Sequence, residues 1–293
     1  MVSLCYNADI EQTKRRILMA YPKILTVQDI SCVGQCSLTV ALPIISACGI
    51  ETCVLPSAVL STHTAGFTGY TFRDLTEDMP AIRDHWLKEG ICFDAIYTGY
   101  LGSTLQIDYV EQLFSSVGKE GCLKIVDTAM ADNGKLYPGF DEAFVEAMKG
   151  LCGKADFVIP NITEACFLTG VEYKEEYDRA YIDLLLEKLT ALGCKNIIFT
   201  GISYAEGKTG IVVLENGKYA YYEHEKLAQG CHGTGDIYAS AFVGALVRGH
   251  SAYDAARIAG DFALACIKRT AQEDNHWYGA AFEPVLPQLI QAL

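Results

Sequence analysis

The stretch "QGCHGTGDIYASAFVGAL" (residues 229–246) places three glycines, a cysteine, a histidine and an aspartate ahead of a small, apolar run. That run is long enough for about three turns of helix. Three chemistries compete for such a turn. Cys231 and His232 are adjacent and have no second Cys/His pair at the spacing of a structural zinc site, so zinc ligation is a poor reading. His232 is then expected to hydrogen-bond within the turn. "GCHGTG" is not G-x-G-x-x-G and stands near the end of the chain, which argues against a dinucleotide fingerprint. An anion site remains. Gly230, Gly233 and Gly235 permit backbone conformations closed to other residues. A helix beginning near Asp236 would aim free N–H groups and the positive end of its dipole into the turn. Such a nest suits an anion whose charge develops in a transition state. Asp236 itself admits two roles. It could cap the helix, or act as a general base that takes a proton from a hydroxyl attacking a phosphoryl group.

Positioning these groups requires a scaffold, and the spacing of apolar runs supplies one. "KILTV" (23–27), "TCVLP" (52–56), "FDAIYTG" (93–99), "LKIVD" (123–127), "DFVIP" (156–160) and "NIIFT" (196–200) read as strands. Segments of helical spacing lie between most of them, as in 108–117, 140–151 and 181–192. This alternation predicts an α/β fold: a doubly wound, mainly parallel sheet with helices on both faces. After residue 207 the rhythm changes. "TGIVVLENGKYAYYEHE" reads as an edge β-hairpin turning at Asn216-Gly217, followed by helices over 236–248, 253–269 and 282–292. "GISYAEGKT" (201–209) has five residues between its glycines where a P-loop needs four, and a strand follows it, so a loop or hairpin is the better reading.

Ligands of doubly wound sheets bind beyond the carboxyl ends of the strands. Reading past each run nominates Gln28-Asp29, Thr98-Gly99-Tyr100, Asp127, Asn161 with Glu164 one turn on, and Thr200-Gly201. A flap is expected over about 57–72.

Composition narrows the partners. The 293-residue chain is 51% hydrophobic and 20% charged, enough for a sizeable core. Its net charge of −13 argues against nucleic acid and anionic membranes, although a small phosphorylated ligand remains open. Twelve cysteines without a C-x-x-C pair fit a reducing cytoplasm. Residues 31–50 are uncharged, but Gly34, Gln35, Ser37, Pro43 and Ser46 favour a buried βα unit over a membrane span. No linker or repeat is evident, so residues 23–293 are expected to form a single domain and 1–22 a peripheral extension.

Gly233-Thr234-Gly235-Asp236 before a small-residue helix resembles the C-terminal signature of the ribokinase superfamily. "VQDISCVGQCSLTVALPIISACGI" (27–50), "STHT" (61–64), "DAIYTGYLGS" (94–103), "VDTAMADNGKLY" (126–137) and "PNITE" (160–164) narrow the likeness to the vitamin B6 (pyridoxal) kinases, over about residues 23–270. The resemblance implies ATP-dependent phosphorylation of the 5′-hydroxymethyl group of a B6 vitamer, with Mg²⁺, with K⁺ as a candidate monovalent cation, and in a homodimer. It implies Asp236 as base and the amides of Gly233, Thr234 and Gly235 as an anion hole. It places Asn161 and Glu164 around ATP and Mg²⁺, Asp127 and Asp132 near phosphates and cations, and Thr200-Gly201 at the nucleotide strand. Asp29, Ser61, His63, Thr64 and Tyr100 would cradle the pyridine ring, with Tyr100 stacking on it. His63 can equally be a buried, satisfied histidine.

Two departures stand out. The family's Asp-Pro-Val-Met-Gly-Asp reads "DTAMAD" (127–132), and Asp29 occupies a position where many pyridoxal kinases have Ser. An ionised carboxylate only accepts hydrogen bonds, so Asp29 suits a protonated ring nitrogen or an amine and favours pyridoxamine or pyridoxine over pyridoxal. Hydroxymethylpyrimidine kinases of thiamine synthesis are close relatives and give the alternative substrate. Some of them carry Cys where this chain has Asp236. A non-catalytic vitamer-binding protein is a further alternative, favoured only by the altered 127–132 loop.

Overall fold

A computed structural model describes residues 21–227 and 231–293. The chain runs β1 (Lys23–Ser31), α1 (Leu38–Ala47), β2 (Glu51–Leu60), β3 (Phe72–Asp74), α2 (Met79–Lys88), β4 (Phe93–Thr98), α3 (Thr104–Ser116) and β5 (Gly118–Asp127). A small hairpin, β6 (Ala131–Asp132) and β7 (Lys135–Leu136), precedes α4 (Glu142–Cys152), β8 (Phe157–Ile159), α5 (Ile162–Thr169), α6 (Arg179–Ala191) and β9 (Ile197–Ile202). Then come β10 (Lys208–Glu215), β11 (Lys218–Glu225), α7 (Thr234–Val247), α8 (Ala252–Thr270) and α9 (Leu286–Ala292).

Nine strands form one sheet in the order β11-β10-β9-β8-β5-β4-β1-β2-β3. The stretch from β9 to β2 is parallel; β10 and β11 are antiparallel at one edge and β3 at the other. The expected architecture is therefore present, including the edge hairpin. Its turn residues Asn216 and Gly217 both have positive φ, 50° and 73°, as a two-residue I′ turn requires.

Alternation along the strands divides the core. Leu25, Val27, Ile96, Val126, Val158 and Phe199 pack against α2 to α6. Ile24, Ala95, Tyr97, Ile125, Ile159 and Ile198 pack against α1 and α7 to α9. Helix α7 is buried nearly all round, which explains its unbroken run of small and apolar residues. Residues 31–50 form the end of β1, a loop and α1, as the polar residues within them implied. Among the described residues no helix is long and apolar enough to cross a membrane. The proposed 1–22 extension lies almost entirely outside the described residues.

The structure corrects the reading at three places. Asp29 is inside β1, because pairing with β2 continues to Ser31 through an irregularity between Gln28 and Ile30. The excursion between strands is shorter than 57–72: β2 runs to Leu60 and β3 begins at Phe72, leaving 61–71. Hydrogen bonds between Ser61 and Thr71 close its base. The β6–β7 hairpin was not anticipated, although Asn133 (φ 50°) and Gly134 (φ 73°) carry the same turn signal as Asn216-Gly217.

Candidate active site

The glycine turn and α7 set the centre of the site. Gly233 is the N-cap, at φ 75°, and a Cβ there would stand 1.9 Å from the Gln35 carbonyl oxygen. Conformation and contact both demand glycine. Asp236 is thus third in the helix, and the N-cap role considered for it belongs to Gly233. The side chains of Ser103, Asp141, Asn161, Asp178 and Ser251 cap α3, α4, α5, α6 and α8 by accepting a backbone N–H. Helix α7 has no such cap. Its first-turn N–H groups, from Thr234 and Gly235 onward, thus lack a side-chain cap from the N-cap residue, the arrangement an anion site uses. Thr234 Oγ1 donates to the Cys231 carbonyl at 3.3 Å. Gly230 lies outside the described residues.

Asp236 is partly buried, and burial with the nearby Asp29 charge pushes its carboxyl up to about 7. The nearby Ser37 N–H opposes that rise. The Ser37 hydroxyl meets Asp29, a buried carboxyl also raised by desolvation and restrained by Ser37 and Ser31. Ser31 Oγ donates to Asp29 Oδ2 at 3.3 Å. Ser37 therefore stands between the two acids, and it does so from a left-handed conformation (φ 55°) that serine rarely adopts. Sequence reasoning missed Ser37, since a serine before a helix gives no sign of positive φ.

Asp127 ends β5 and is nearly buried; desolvation, Glu164 and Asp236 raise its carboxyl well above the carboxylate range. No ion pair among the described residues involves Asp29, Asp127, Glu164 or Asp236. Asn161 and Glu164 form a reciprocal capping box at the start of α5. Glu164 goes further: Oε2 accepts from Thr128 Oγ1 (2.6 Å) and the Asn161 N–H (2.9 Å), and Oε1 from the Met130 N–H (3.0 Å). Burial still raises its carboxyl, against these donors. The Asn161 amide donates to the Ala131 carbonyl at 2.9 Å. The altered "DTAMAD" loop is thus tied to α5 through Thr128, one of the residues that departs from the family pattern.

The resemblance sets Asp127 and Asp132 near the phosphates and cations, and Glu164 in the motif that orders Mg²⁺ and its waters. Among the described residues, no three His, Cys, Asp or Glu side chains form a group able to hold a metal ion. Glu164 spends both oxygens on the 128–131 loop and α5. Asp132 is exposed and accepts from the backbone and side chain of Asn133 in the β6–β7 turn. Asp127 alone stands at the strand end. Mg²⁺ nevertheless fits: it takes oxygen donors, is commonly held by one or two carboxylates with substrate phosphates and water, and would offset unpaired acids.

Tyr100 packs its ring 5.4 Å from Phe140 and lies within electrostatic range of Asp29; burial raises its phenol to about 12. Thr64 is exposed and Ser61 fixes the base of the 61–71 loop. His63 is buried. Its Nε2 meets the Tyr278 carbonyl at 2.6 Å and its Nδ1 accepts from the Ala65 N–H at 3.2 Å, which makes Nε2 the protonated nitrogen. These bonds describe a satisfied histidine that pins the loop. Phe67 lies 4.6 Å from Trp277 between ring centroids, and His276 holds Gln35 at 2.7 Å. The C-terminal segment around 276–278, also unanticipated, thus braces both the 61–71 loop and the loop beneath Gly233. His232 packs on His63 at 5.7 Å. At the far end, the Thr200 N–H donates to the Pro160 carbonyl, and Gly201 (φ 75°) is the extra residue where β9 slips against β10.

The chain is similar to known kinases along most of its length. The phosphomethylpyrimidine kinase family model matches residues 42–281. A candidate phosphomethylpyrimidine kinase of Bacteroides thetaiotaomicron, solved with pyridoxal, is 36% identical, with 92% of this chain and 96% of that one superposed at a TM-score of 0.86. A pyridoxal kinase of Dictyostelium discoideum is 26% identical over 78% of this chain and 79% of its own length. A hydroxymethylpyrimidine/phosphomethylpyrimidine kinase of Bacillus subtilis is 25% identical over 73% and 77%. By this likeness along most of its length, the chain belongs to the phosphomethylpyrimidine kinase family, in the branch of the ribokinase superfamily that includes pyridoxal kinases, and is a kinase.

Proposed function

We propose that this kinase transfers the γ-phosphoryl group of ATP to the 5′-hydroxymethyl oxygen of a vitamin B6 vitamer. The observation that carries the reading is Asp236. A carboxyl with a pKa of about 7 at the open N-terminus of α7 combines a base suited to neutral pH with N–H donors for the transferring group. Asp236 takes the hydroxyl proton as the oxygen attacks. The amides of Gly233, Thr234 and Gly235 receive the phosphoryl oxygens as charge spreads over them. Asp29 faces the ring or its amine, and Ser31 and Ser37 orient it for a cationic group. A ligand cation would draw this carboxyl back to its ionised form, which supports pyridoxamine or pyridoxine over pyridoxal. Tyr100 supplies a ring face, and the 61–71 loop limits access of water. Asn161 and Thr200-Gly201 border the nucleotide.

Asp127 would hold Mg²⁺ together with the phosphates, while Glu164 positions the 128–131 loop. The ion would neutralise phosphate charge. K⁺ stays a proposal from the resemblance, as do a homodimer and residues 23–293 acting as one domain. A reducing, cytoplasmic setting is likewise a proposal, from twelve cysteines without a C-x-x-C pair.

The family model and the Bacillus relative favour a second substrate, hydroxymethylpyrimidine. A coupled ADP-release assay with pyridoxal, pyridoxamine, pyridoxine and hydroxymethylpyrimidine separates the two through kcat/KM. Dominant pyrimidine turnover would overturn the vitamer reading, and ligand binding without ADP release would identify a non-catalytic binder.

A further inference from the structure

Below Asp236, the sheet and α7 enclose polar atoms that the reaction just described does not use. By strand alternation Thr26 and Gln28 of β1 share a face with Tyr97 of β4 and Asp127 of β5, and Tyr97 stands in register between Thr26 and Ile125. Ser240 follows Asp236 by one turn of α7, so both side chains leave the helix on the same side. Gln28, Tyr97 and Ser240 are each 0% exposed. The Tyr97 phenol lies beside the Ser240 hydroxyl and the Gln28 amide, within electrostatic range of Asp127 and Asp236.

Despite this proximity, Tyr97 Oη, Ser240 Oγ and Gln28 Oε1 have no hydrogen-bond partner among the described residues. Gln28 cannot turn away freely. Its amide nitrogen donates to Thr26 Oγ1 at 2.9 Å, and a Cβ at Gly99 would lie 2.7 Å from its amide. Buried polar groups are rarely left unpaired, and a shared ordered water is the usual solution in a polar interior. The donor count closes on one such molecule. A water can accept from the Tyr97 and Ser240 hydroxyls and donate to Gln28 Oε1, leaving its second hydrogen for the Asp236 carboxylate.

We propose that Gln28, Tyr97 and Ser240 hold an ordered water that donates to Asp236, making Tyr97 and Ser240 positioning residues for the base. The inference rests on Asp236 being the base of the kinase reaction. The groups facing Asp236 are Asp29, Cys36 and Ser37 from β1 and the loop after it, Tyr97 from β4, Asp127 from β5 and Tyr137 beyond β7. Losing a donor to the carboxylate makes ionisation harder and moves the acid limb of kcat to higher pH.

Tyr97→Phe removes only Oη and keeps the packed ring; Ser240→Ala removes the other hydroxyl. Each variant is first checked by thermal melting. For a displacement of roughly one pH unit, kcat at pH 6 falls ~10-fold, the deficit closes by about pH 9, and KM for both substrates is unchanged. Because one water is shared, the double variant should shift the limb little further than the larger single shift. An acid limb unmoved in both variants, or a pH-independent loss of kcat, overturns the proposal while leaving the kinase reading intact. A wild-type protein inactive on every substrate would instead fail the kinase reading. A high-resolution crystal structure tests the site without turnover. Water within hydrogen-bond distance of Tyr97 Oη, Ser240 Oγ and Gln28 Oε1 supports it, and a direct Tyr97–Ser240 bond with no water overturns it.

Discussion

Asp236 is raised by desolvation in a site that also contains other acids, and its carboxyl titrates near neutrality. Its ionised form, the base of the proposed reaction, grows as pH rises through about 7, so kcat should increase along an acid limb near that value. Asp236→Asn cannot accept the proton; kcat should fall by roughly 10²–10⁴ with KM values little changed, read by steady-state ADP release. Near-normal turnover in that variant would remove Asp236 from the role of base. Ser37 offers a finer test because its N–H and its hydroxyl act on different acids. Ser37→Ala keeps the N–H toward Asp236 but deletes the hydroxyl that favours ionised Asp29. KM for a cationic vitamer should rise about 3–10-fold while the acid limb of kcat stays in place. A displaced limb would show that Ser37 acts on Asp236 instead.

At the scale of elements, two joints hold the site. Gly233 seats the start of α7 on the backbone of Gln35, in the loop between β1 and α1. Alanine there meets both a left-handed backbone, costing about 1–2 kcal/mol, and a collision with a carbonyl oxygen. Gly233→Ala should lower Tm by several degrees and abolish turnover; a full-activity variant of unchanged Tm would disprove this account of the turn. The second joint is Thr128–Glu164, which binds the end of β5 to α5. Thr128→Val preserves shape but leaves Glu164 short of a donor, so denaturant unfolding should register a loss of roughly 1–3 kcal/mol. No change would mean that the backbone donors from Met130 and Asn161 suffice. The family's proline at this position could not make that bond, so the departure exchanges a rigid ring for a hydrogen bond.

For the molecule as a whole, the raised acids link stability to pH. Asp29, Asp127, Glu164 and Asp236 all ionise less readily in the folded chain. The folded state therefore binds more protons than the unfolded state above the ordinary carboxylate range, and stability declines as pH rises through the raised values. For Asp236 that window runs from 3.8 to about 7. A displacement of about three units corresponds to at most ~4 kcal/mol. Tm should be lower at pH 8 than at pH 5.5, and Asp236→Asn should raise Tm at pH 8 more than at pH 5.5. A Tm that rises across this interval in the wild type would contradict the burial of unpaired acids.

Much of this molecule could be read from its residues alone. The alternation of apolar runs with helical spacing gave the parallel sheet, because strands buried on both faces must be apolar throughout. Asn216-Gly217 gave the edge hairpin, and the glycines before Asp236 marked the left-handed start of α7. These are local signals, set by backbone sterics and by which face a side chain leaves. Other features arise only when distant segments meet. The positive φ of Ser37, the pKa of Asp236, the engagement of Glu164 by Thr128 and the bracing of the 61–71 loop by Trp277 join residues far apart in sequence. Desolvation and hydrogen-bond partnership are properties of the packed neighbourhood, so no spacing along the chain could encode them legibly. The sequence by itself determined which acids reach the carboxyl edge of the sheet. Tertiary structure decided that Asp236 stands raised in the first turn of α7, that Asp127 has no ion-pair partner among the described residues, and that Glu164 is committed to the loop.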